Sequence, residues 1–256
     1  MIPLYDNNPK RGAAAITWVL ICANVAVFIG QLVLGLSGAV WVVPGYGLVP
    51  ARITFDPAGE AFTVLTSMFM HGDFGHLGWN MLFLYIFGDN VEDALGHLRY
   101  ALFYLACGLG AAATQYFIDP GSHVPMVGAS GAIAGVLGAY LVLYPRAPVA
   151  VLNPIPFLWL LMGPFLALPA WFVVGEWFVG NVVGGLGSLG QSGGGVAFFA
   201  HIGGFVVGLL GIKPLLVGRT ARPSGRWTSF QAPPRPARRE RVFWRDDQRG
   251  GGPFWK

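Results

Sequence analysis

Six apolar segments dominate the chain, and few charged residues interrupt them. Hydrophobic residues make up 54% of the sequence and charged residues only 11%, whereas soluble domains carry about 25% charged residues. No alternating ten-residue pattern of the kind found in membrane barrels is present. We therefore predict an all-α membrane protein, a six-transmembrane-helix bundle with spans at residues 13–34, 76–93, 98–117, 130–144, 155–174 and 196–217. The segment at 76–93 is the least apolar of the six.

Basic residues predict the orientation of these spans. With the N-terminus and the C-terminus both cytoplasmic, Arg52 is the only one of the 16 lysines and arginines outside the cytoplasm. The opposite orientation violates the positive-inside rule. The net charge of +4 is then a consequence of orientation, and we expect the lipid bilayer, and no nucleic acid, as a partner.

The chain divides into three parts: a cytoplasmic N-terminus at 1–12, the six-span domain at 13–217, and an Arg/Pro/Gly-rich cytoplasmic tail at 218–256. The tail composition cannot bury a core and predicts disorder. Either the tail is simply solvated, or its aromatic residues beside arginines contact anionic headgroups. The glycine-dense segment 180–195 is predicted to be an outer loop, as a mobile lid or as a plain connector.

The fourth segment is too short to cross a bilayer. From Ser130 to Tyr144 it spans 15 residues, or about 22 Å of helix, against a hydrocarbon core of about 30 Å. If its Pro145 end is anchored at one surface, Ser130 lies about 8 Å below the other. Irregular backbone at that depth is tolerated only inside protein or beside a water-filled cavity, which predicts such a cavity at Ser130.

Polar residues gather at the same predicted depth. Spans two, four and six run in the same direction, so their N-terminal ends share one level. These ends carry His76 and Asn80, then Ser130, then His201. A serine needs an adjacent base to become a nucleophile, and His201 can serve as that base. No acidic residue lies at this level, which favours a Ser-His dyad.

The second span supplies candidate donors for an oxyanion. His76 and Asn80 are four residues apart and therefore lie on one helix face. Together with the backbone N–H of Ser130 at a helix start, they form a set of three donors.

Structural alternatives exist for each of these residues. Serine and glycine in a span are typical of close helix packing, and two small-residue faces are present, at Gly131, Gly135 and Gly138 and at Gly204, Gly208 and Gly211. A single buried histidine can simply satisfy a structural hydrogen bond. The shared depth of the four residues favours the functional interpretation. The chain's cysteines and histidines lack metal-ligand spacing, so we expect neither a metal nor another cofactor.

The motifs resemble those of the rhomboid family of intramembrane serine proteases. The family's Gly-x-Ser-Gly motif matches Gly128-Ala129-Ser130-Gly131, its second-span pattern matches His71, His76 and Asn80, and its sixth-span motif matches Ala200-His201-Ile202-Gly203-Gly204. The similarity covers about residues 13–217 and places the three motifs in the right order on alternate spans.

This resemblance implies a serine-type endopeptidase that hydrolyses peptide bonds in or near transmembrane segments. It implies Ser130 as nucleophile, His201 as base, and His76 with Asn80 as oxyanion-hole side chains, while His71 is supportive. Transmembrane proteins are the implied substrates, with small side chains at the scissile site. The absence of a transit peptide or retention signal favours a bacterial plasma or inner membrane, and the oligomeric state is left open.

Two positions depart from the family pattern. The Trp-Arg pair that many members carry in the first outer loop is replaced by Phe62-Thr63, and the aromatic residue that packs on the catalytic histidine in some members is Ala134. The alternative is a catalytically inactive rhomboid-like protein that binds membrane proteins, but such proteins typically lack the serine or the histidine. A transporter or channel would show internal repeats, and no clear repeat is present.

Overall fold

A computed structural model describes residues 1–8, 12–36, 42–189 and 197–218. This part of the chain is mostly helical. Its helices, in chain order, are α1 (Ala15–Leu36), α2 (Val42–Tyr46), α3 (Pro50–Phe55), α4 (Pro57–Thr66), α5 (Phe74–Leu95), α6 (His97–Ile118), α7 (Ser130–Leu143), α8 (Trp159–Met162), α9 (Ala170–Ser188) and α10 (Phe198–Leu215). The predicted tail, from residue 219 onward, lies outside the described residues.

Three of these helices are long and apolar enough to cross a membrane: Ala15–Gly35 in α1, His97–Ile118 in α6 and Phe198–Leu215 in α10. These lengths agree with the need for about 20 apolar residues per span. The short fourth segment is also a helix, and α7 has only 14 residues. The chain is therefore a membrane protein, and five of the six predicted segments coincide closely with helices.

Helix α5 has well-defined ends. The Asp73 side chain caps its start by accepting the N–H of His76 at 2.8 Å, and Gly96 ends it with a φ of 74°, a conformation that glycine adopts at little cost. Near that end, the buried Glu92 carboxylate accepts the N–H groups of Ile16 and Thr17, both at 2.8 Å. These bonds explain how an acidic residue is accommodated inside an apolar bundle.

A three-stranded antiparallel sheet corrects the all-α prediction. Its strands are β1 (Ile2–Asp6), β2 (Pro148–Leu152) and β3 (Phe165–Pro169), in the order β1-β2-β3. Strand β2 is the central strand, and its Leu152 pairs with Ile2 of β1 on one side and with Phe165 of β3 on the other. The sheet is joined to the helices through Asp6, whose carboxylate accepts hydrogen bonds from Asn90 and Tyr140.

The prediction of a span at 155–174 is wrong. This stretch holds a 3-10 turn at Pro156–Leu158, helix α8, strand β3 and the start of α9. Its prolines interrupt the helix because proline lacks the N–H and clashes with the preceding turn, and Gly163 turns the chain with a φ of 77°. The next long helix after α7 is α9, which begins directly after Pro169.

The prediction of an outer loop at 180–195 is also wrong over most of its length. Helix α9 continues through this glycine-rich stretch to Ser188. At Gly184 the packing against α10 favours a residue without a side chain, since a Cβ there would lie 2.5 Å from the Phe198 ring. Residues 190–196 lie outside the described part of the chain, so the predicted lid is not addressed there.

Helices α7 and α10 touch backbone to backbone. A Cβ at Gly204 would lie 2.0 Å from the carbonyl oxygen of Gly131, and a Cβ at Gly208 would lie 1.9 Å from that of Gly135. The predicted small-residue faces therefore meet, except at Gly211, where the nearest atom to a Cβ is 4.0 Å away. This close contact fixes the start of α10 beside the start of α7.

Candidate active site

Ser130 is the first residue of α7, and the backbone before it is shaped by Gly128. The φ of Gly128 is 129°, which side-chain-bearing residues rarely adopt. Its N–H donates to the carbonyl oxygen of Ser67 at 2.9 Å, which fixes the loop in front of the helix. Because the first N–H groups of a helix have no intrahelical acceptor, the N–H of Ser130 can donate to an anionic oxygen.

His201 lies in the first turn of α10 and reaches Ser130 directly. The distance from His201 Nε2 to Ser130 Oγ is 2.7 Å, which is a short and favourable hydrogen bond for a hydroxyl donor. In this arrangement the hydroxyl donates to a neutral imidazole nitrogen. The pair therefore has the geometry of a nucleophile and its base.

A residue missed by the sequence analysis holds the other side of His201. Asn181, on α9, places its Oδ1 2.6 Å from His201 Nδ1, and its Nδ2 donates to the carbonyl oxygen of Trp177 at 2.8 Å. The Trp177 ring also lies against the His201 ring, with centroids 5.7 Å apart and planes inclined by 38°. Thus Trp177 supplies an aromatic neighbour from another helix, while Ala134 is fully buried in α7.

The sequence does contain a signal for Asn181, because it is a polar residue within an apolar segment, but the loop prediction at 180–195 gives that signal no weight. A polar residue in an apolar helix normally faces the protein interior and marks function. Because the sequence predicts a loop at 180–195, it gives no reason to expect the Asn181 side chain inside the helix bundle. Its partner Trp177 lies one helical turn earlier in α9, at the spacing of residues on one face.

His76 lies close to Ser130, across Gly128. A Cβ built on Gly128 would be 2.7 Å from His76 Nε2 and 3.4 Å from Ser130 Oγ. The missing side chain of Gly128 therefore leaves a small space that both residues border. An oxygen atom of a bound carbonyl group could occupy this space.

Asn80 lines the same cavity from the next turn of α5. Its side chain is buried, and its Nδ2 has no hydrogen-bond partner among the residues that the structure describes. An unsatisfied buried donor is costly. A ligand oxygen in the cavity would satisfy it.

His71 does not join the other polar residues through a hydrogen bond within the described residues. Its backbone N–H and carbonyl are both bound by the side chain of Gln31 on α1, at 3.0 Å each. Burial, aided by the neighbouring His76, lowers the pKa of His71 to about 4. The ring is therefore neutral near physiological pH and fills space beside His76, with ring centroids 5.1 Å apart.

The four predicted site residues share one cavity of about 670 Å³. Apolar and aromatic side chains line much of it, among them Trp79, Phe83 and Trp177. This size suits a peptide segment rather than a single small ion. Among the residues the structure describes, no group of three or more His, Cys, Asp or Glu side chains could hold a metal ion.

Comparison with known proteins agrees with this architecture. A family model described as the Rhomboid domain matches residues 58–217. The chain belongs to the rhomboid family. The match includes α5, α7 and α10, the three helices whose N-terminal ends meet at the cavity.

Several curated rhomboid proteins are similar to this chain. Rhomboid protein 1, mitochondrial, of Saccharomyces cerevisiae is 29% identical over 218 residues, which cover 80% of this chain and 54% of that protein. Rhomboid protease GluP of Bacillus subtilis is 30% identical over 132 residues, covering 52% of this chain and 25% of that protein. The human presenilin-associated rhomboid-like protein, mitochondrial, is 30% identical over 151 residues, covering 57% and 37%.

This rhomboid chain spans about half, or less, of the length of these relatives. Two of the three are named as mitochondrial proteins and one comes from a bacterium. Their names therefore do not assign the membrane in which this protein resides, and the bacterial cell membrane stays a prediction.

Proposed function

We propose that this rhomboid protein is an intramembrane serine endopeptidase that uses a Ser130–His201 dyad. The observation that carries the proposal is the 2.7 Å contact between Ser130 Oγ and His201 Nε2, inside a cavity that also holds His76 and Asn80. A purely structural hydrogen bond between a serine and a histidine would not require a cavity beside it, whereas a nucleophile and its base require space for a substrate.

The chemistry follows from the positions of these groups. Ser130 Oγ attacks the carbonyl carbon of the substrate peptide bond, and its proton moves to His201 Nε2. The tetrahedral intermediate then breaks its C–N bond, and the leaving amine takes the proton from His201. A water molecule, deprotonated by His201, hydrolyses the acyl-enzyme and restores the serine.

Three donors are placed to stabilise the negative oxygen of the intermediate. The N–H of Ser130 lies at a helix start, the Nδ2 of Asn80 lacks a partner in the described residues, and His76 borders the space above Gly128. Removing one donor from such a set costs about 10² to 10³ in rate. The cavity therefore supplies both a nucleophile and an electrostatic site for the oxyanion.

We further propose that the protein crosses a bacterial cell membrane six times, and that both of its termini lie in the cytoplasm. The six spans are α1, α5, α6, α7, α9 and α10. In this topology α7, at 14 residues, is about 21 Å long and leaves Ser130 below the outer surface of a core of about 30 Å. Water reaches the site from the outer face through the cavity. Arg52 is then the exception to the positive-inside rule, and its ion pair with Glu60 at 2.6 Å offsets its charge.

The substrates in this proposal are transmembrane proteins. A helical segment hides its carbonyl groups in hydrogen bonds four residues apart, so the scissile region must unwind before Ser130 can attack. Small side chains at the scissile bond ease the approach to a nucleophile at a buried helix start.

Cleavage of a panel of single-span membrane proteins in liposomes tests this function. The wild-type protein is expected to cut at least one member within or next to its span, and Ser130→Ala is expected to abolish that product. Ser188→Ala is the matched control, because Ser188 lies at the end of α9 and its hydroxyl donates to the carbonyl oxygen of Gly185 in its own last turn. Undiminished cleavage by correctly folded Ser130→Ala would refute the assignment of the nucleophile.

A further inference from the structure

We propose that Asn181 is a positioning residue that holds His201 in the tautomer and orientation required to accept the proton of Ser130. The inference rests on the proposed protease function and adds a third side chain to the dyad. It is based on three hydrogen bonds that link Trp177, Asn181, His201 and Ser130 in this order. Together they determine which atom of each pair donates and which accepts.

The first contact fixes the amide of Asn181. Its Nδ2 lies 2.8 Å from the carbonyl oxygen of Trp177, and a carbonyl oxygen can only accept a hydrogen bond. The reversed amide would place two oxygens against each other at this distance. Nδ2 therefore points to Trp177, and Oδ1 must face His201.

The second contact fixes the imidazole tautomer. Oδ1 of Asn181 lies 2.6 Å from His201 Nδ1, and since this oxygen accepts only, Nδ1 must carry the hydrogen. A neutral imidazole with its hydrogen on Nδ1 has a free lone pair on Nε2. That lone pair faces Ser130 Oγ at 2.7 Å, as a general base requires.

The ring of Trp177 restricts the imidazole further. It lies against the His201 ring at a centroid distance of 5.7 Å, and Asn181 itself is 8% exposed. Rotation of the imidazole would break both hydrogen bonds and meet the indole. Thus Trp177 contributes twice, through its carbonyl oxygen and through its ring.

A neutral amide suits this location better than a carboxylate. An isolated buried charge in a membrane-embedded site is costly, whereas an amide orients the imidazole without that cost. The titratable group that faces His201 besides Ser130 is His76 from α5, and Glu176 on α9 is instead paired with the amine of Met1 at 3.2 Å. Among the described residues, Asn181 is therefore the group placed to orient His201 from the Nδ1 side.

The rate of Ser130 labelling by a fluorophosphonate, measured from pH 5 to pH 9 with the full chain in detergent, tests the inference. Asn181→Leu removes the acceptor and is expected to lower the maximal labelling rate about 10²-fold. Asn181→Asp retains an acceptor and adds a charge that favours the imidazolium. It is expected to label measurably faster than Asn181→Leu, with the pH of half-maximal labelling moved upward.

Val183→Ala is the matched control, since Val183 is also on α9 but is 64% exposed, and its labelling is expected to equal that of the wild type. Labelling of Asn181→Leu within threefold of the wild type would overturn the inference, as would an Asn181→Asp profile with an unchanged midpoint. If Asn181→Leu does not fold, the pH profile of Asn181→Asp decides the question by itself. Absence of labelling in the wild type itself would instead refute the proposed protease function.

Discussion

The contact between α7 and α10 is predicted to depend on the missing side chain of Gly208. In Gly208→Ala the new Cβ would lie 1.9 Å from the carbonyl oxygen of Gly135, whereas real Cβ contacts are essentially never below 3.0 Å. The two helices must therefore separate by about 1.1 Å, because backbone stands on both sides and no side-chain rotation can relieve the clash. Overpacking of this kind costs about 3 kcal/mol of folding free energy.

The same displacement acts on the contact between Ser130 and His201. His201 lies two helical turns before Gly208 on α10, and its hydrogen bond to Ser130 is 2.7 Å long. If the separation reaches His201 in full, this distance grows to about 3.8 Å, which is beyond hydrogen-bonding range. A misplacement of about 1 Å can lower an enzymatic rate about 10²-fold, and a decrease of this size is expected in cleavage.

Gly211→Ala is the matched control on the same helix. Among the described residues, its Cβ would meet the Phe103 ring at 4.0 Å, an ordinary contact, and alanine favours a helix over glycine by about 1 kcal/mol. Thermal unfolding and substrate cleavage are measured for both variants in the same detergent. Equal stability and equal activity of Gly208→Ala and Gly211→Ala would refute the argument that backbone contact at Gly208 positions the site.

Three further predictions concern single residues. Gly128→Ala is expected to abolish cleavage while the α7–α10 contact persists, because its Cβ would lie 2.7 Å from His76 Nε2 at a φ that alanine rarely adopts; wild-type cleavage would contradict this. Asn80→Ala is expected to lower kcat by about 10² with little change in KM, and a change confined to KM would assign Asn80 to substrate binding instead. Glu92→Ala is expected to lower the free energy of unfolding by about 3 kcal/mol, since the buried N–H of Thr17 and the partly buried N–H of Ile16 lose their acceptor; unchanged thermal unfolding would show that this cap is dispensable.

Local pattern was sufficient to predict the residues that meet at the cavity. Ser130 at the start of a short helix, His201 near the start of the last helix, and the glycines between them each follow from sequence spacing and from the depth argument. The structure brings these residues together because α5, α7 and α10 run in the same direction. Their catalytic roles stay predictions until they are measured.

Other features depend on contacts between distant parts of the chain. Strand β1 pairs with β2 across more than a hundred residues, as in the Ile2–Leu152 pair, and a five-residue strand carries little pattern of its own. Mean hydropathy predicts a span at 155–174 because it gives no weight to the prolines that interrupt a helix there. A glycine-rich composition predicts a loop at 180–195, whereas α9 continues to Ser188 and Gly184 packs against Phe198. The loop prediction is the reason that the sequence does not point to Asn181.

The most direct test of the central claim is covalent labelling with a fluorophosphonate followed by peptide mapping. The account predicts that one probe molecule per chain is attached to Ser130, and that labelling is lost in the folded His201→Ala variant. Attachment to a different residue, or undiminished labelling of Ser130 without His201, would contradict the proposed dyad.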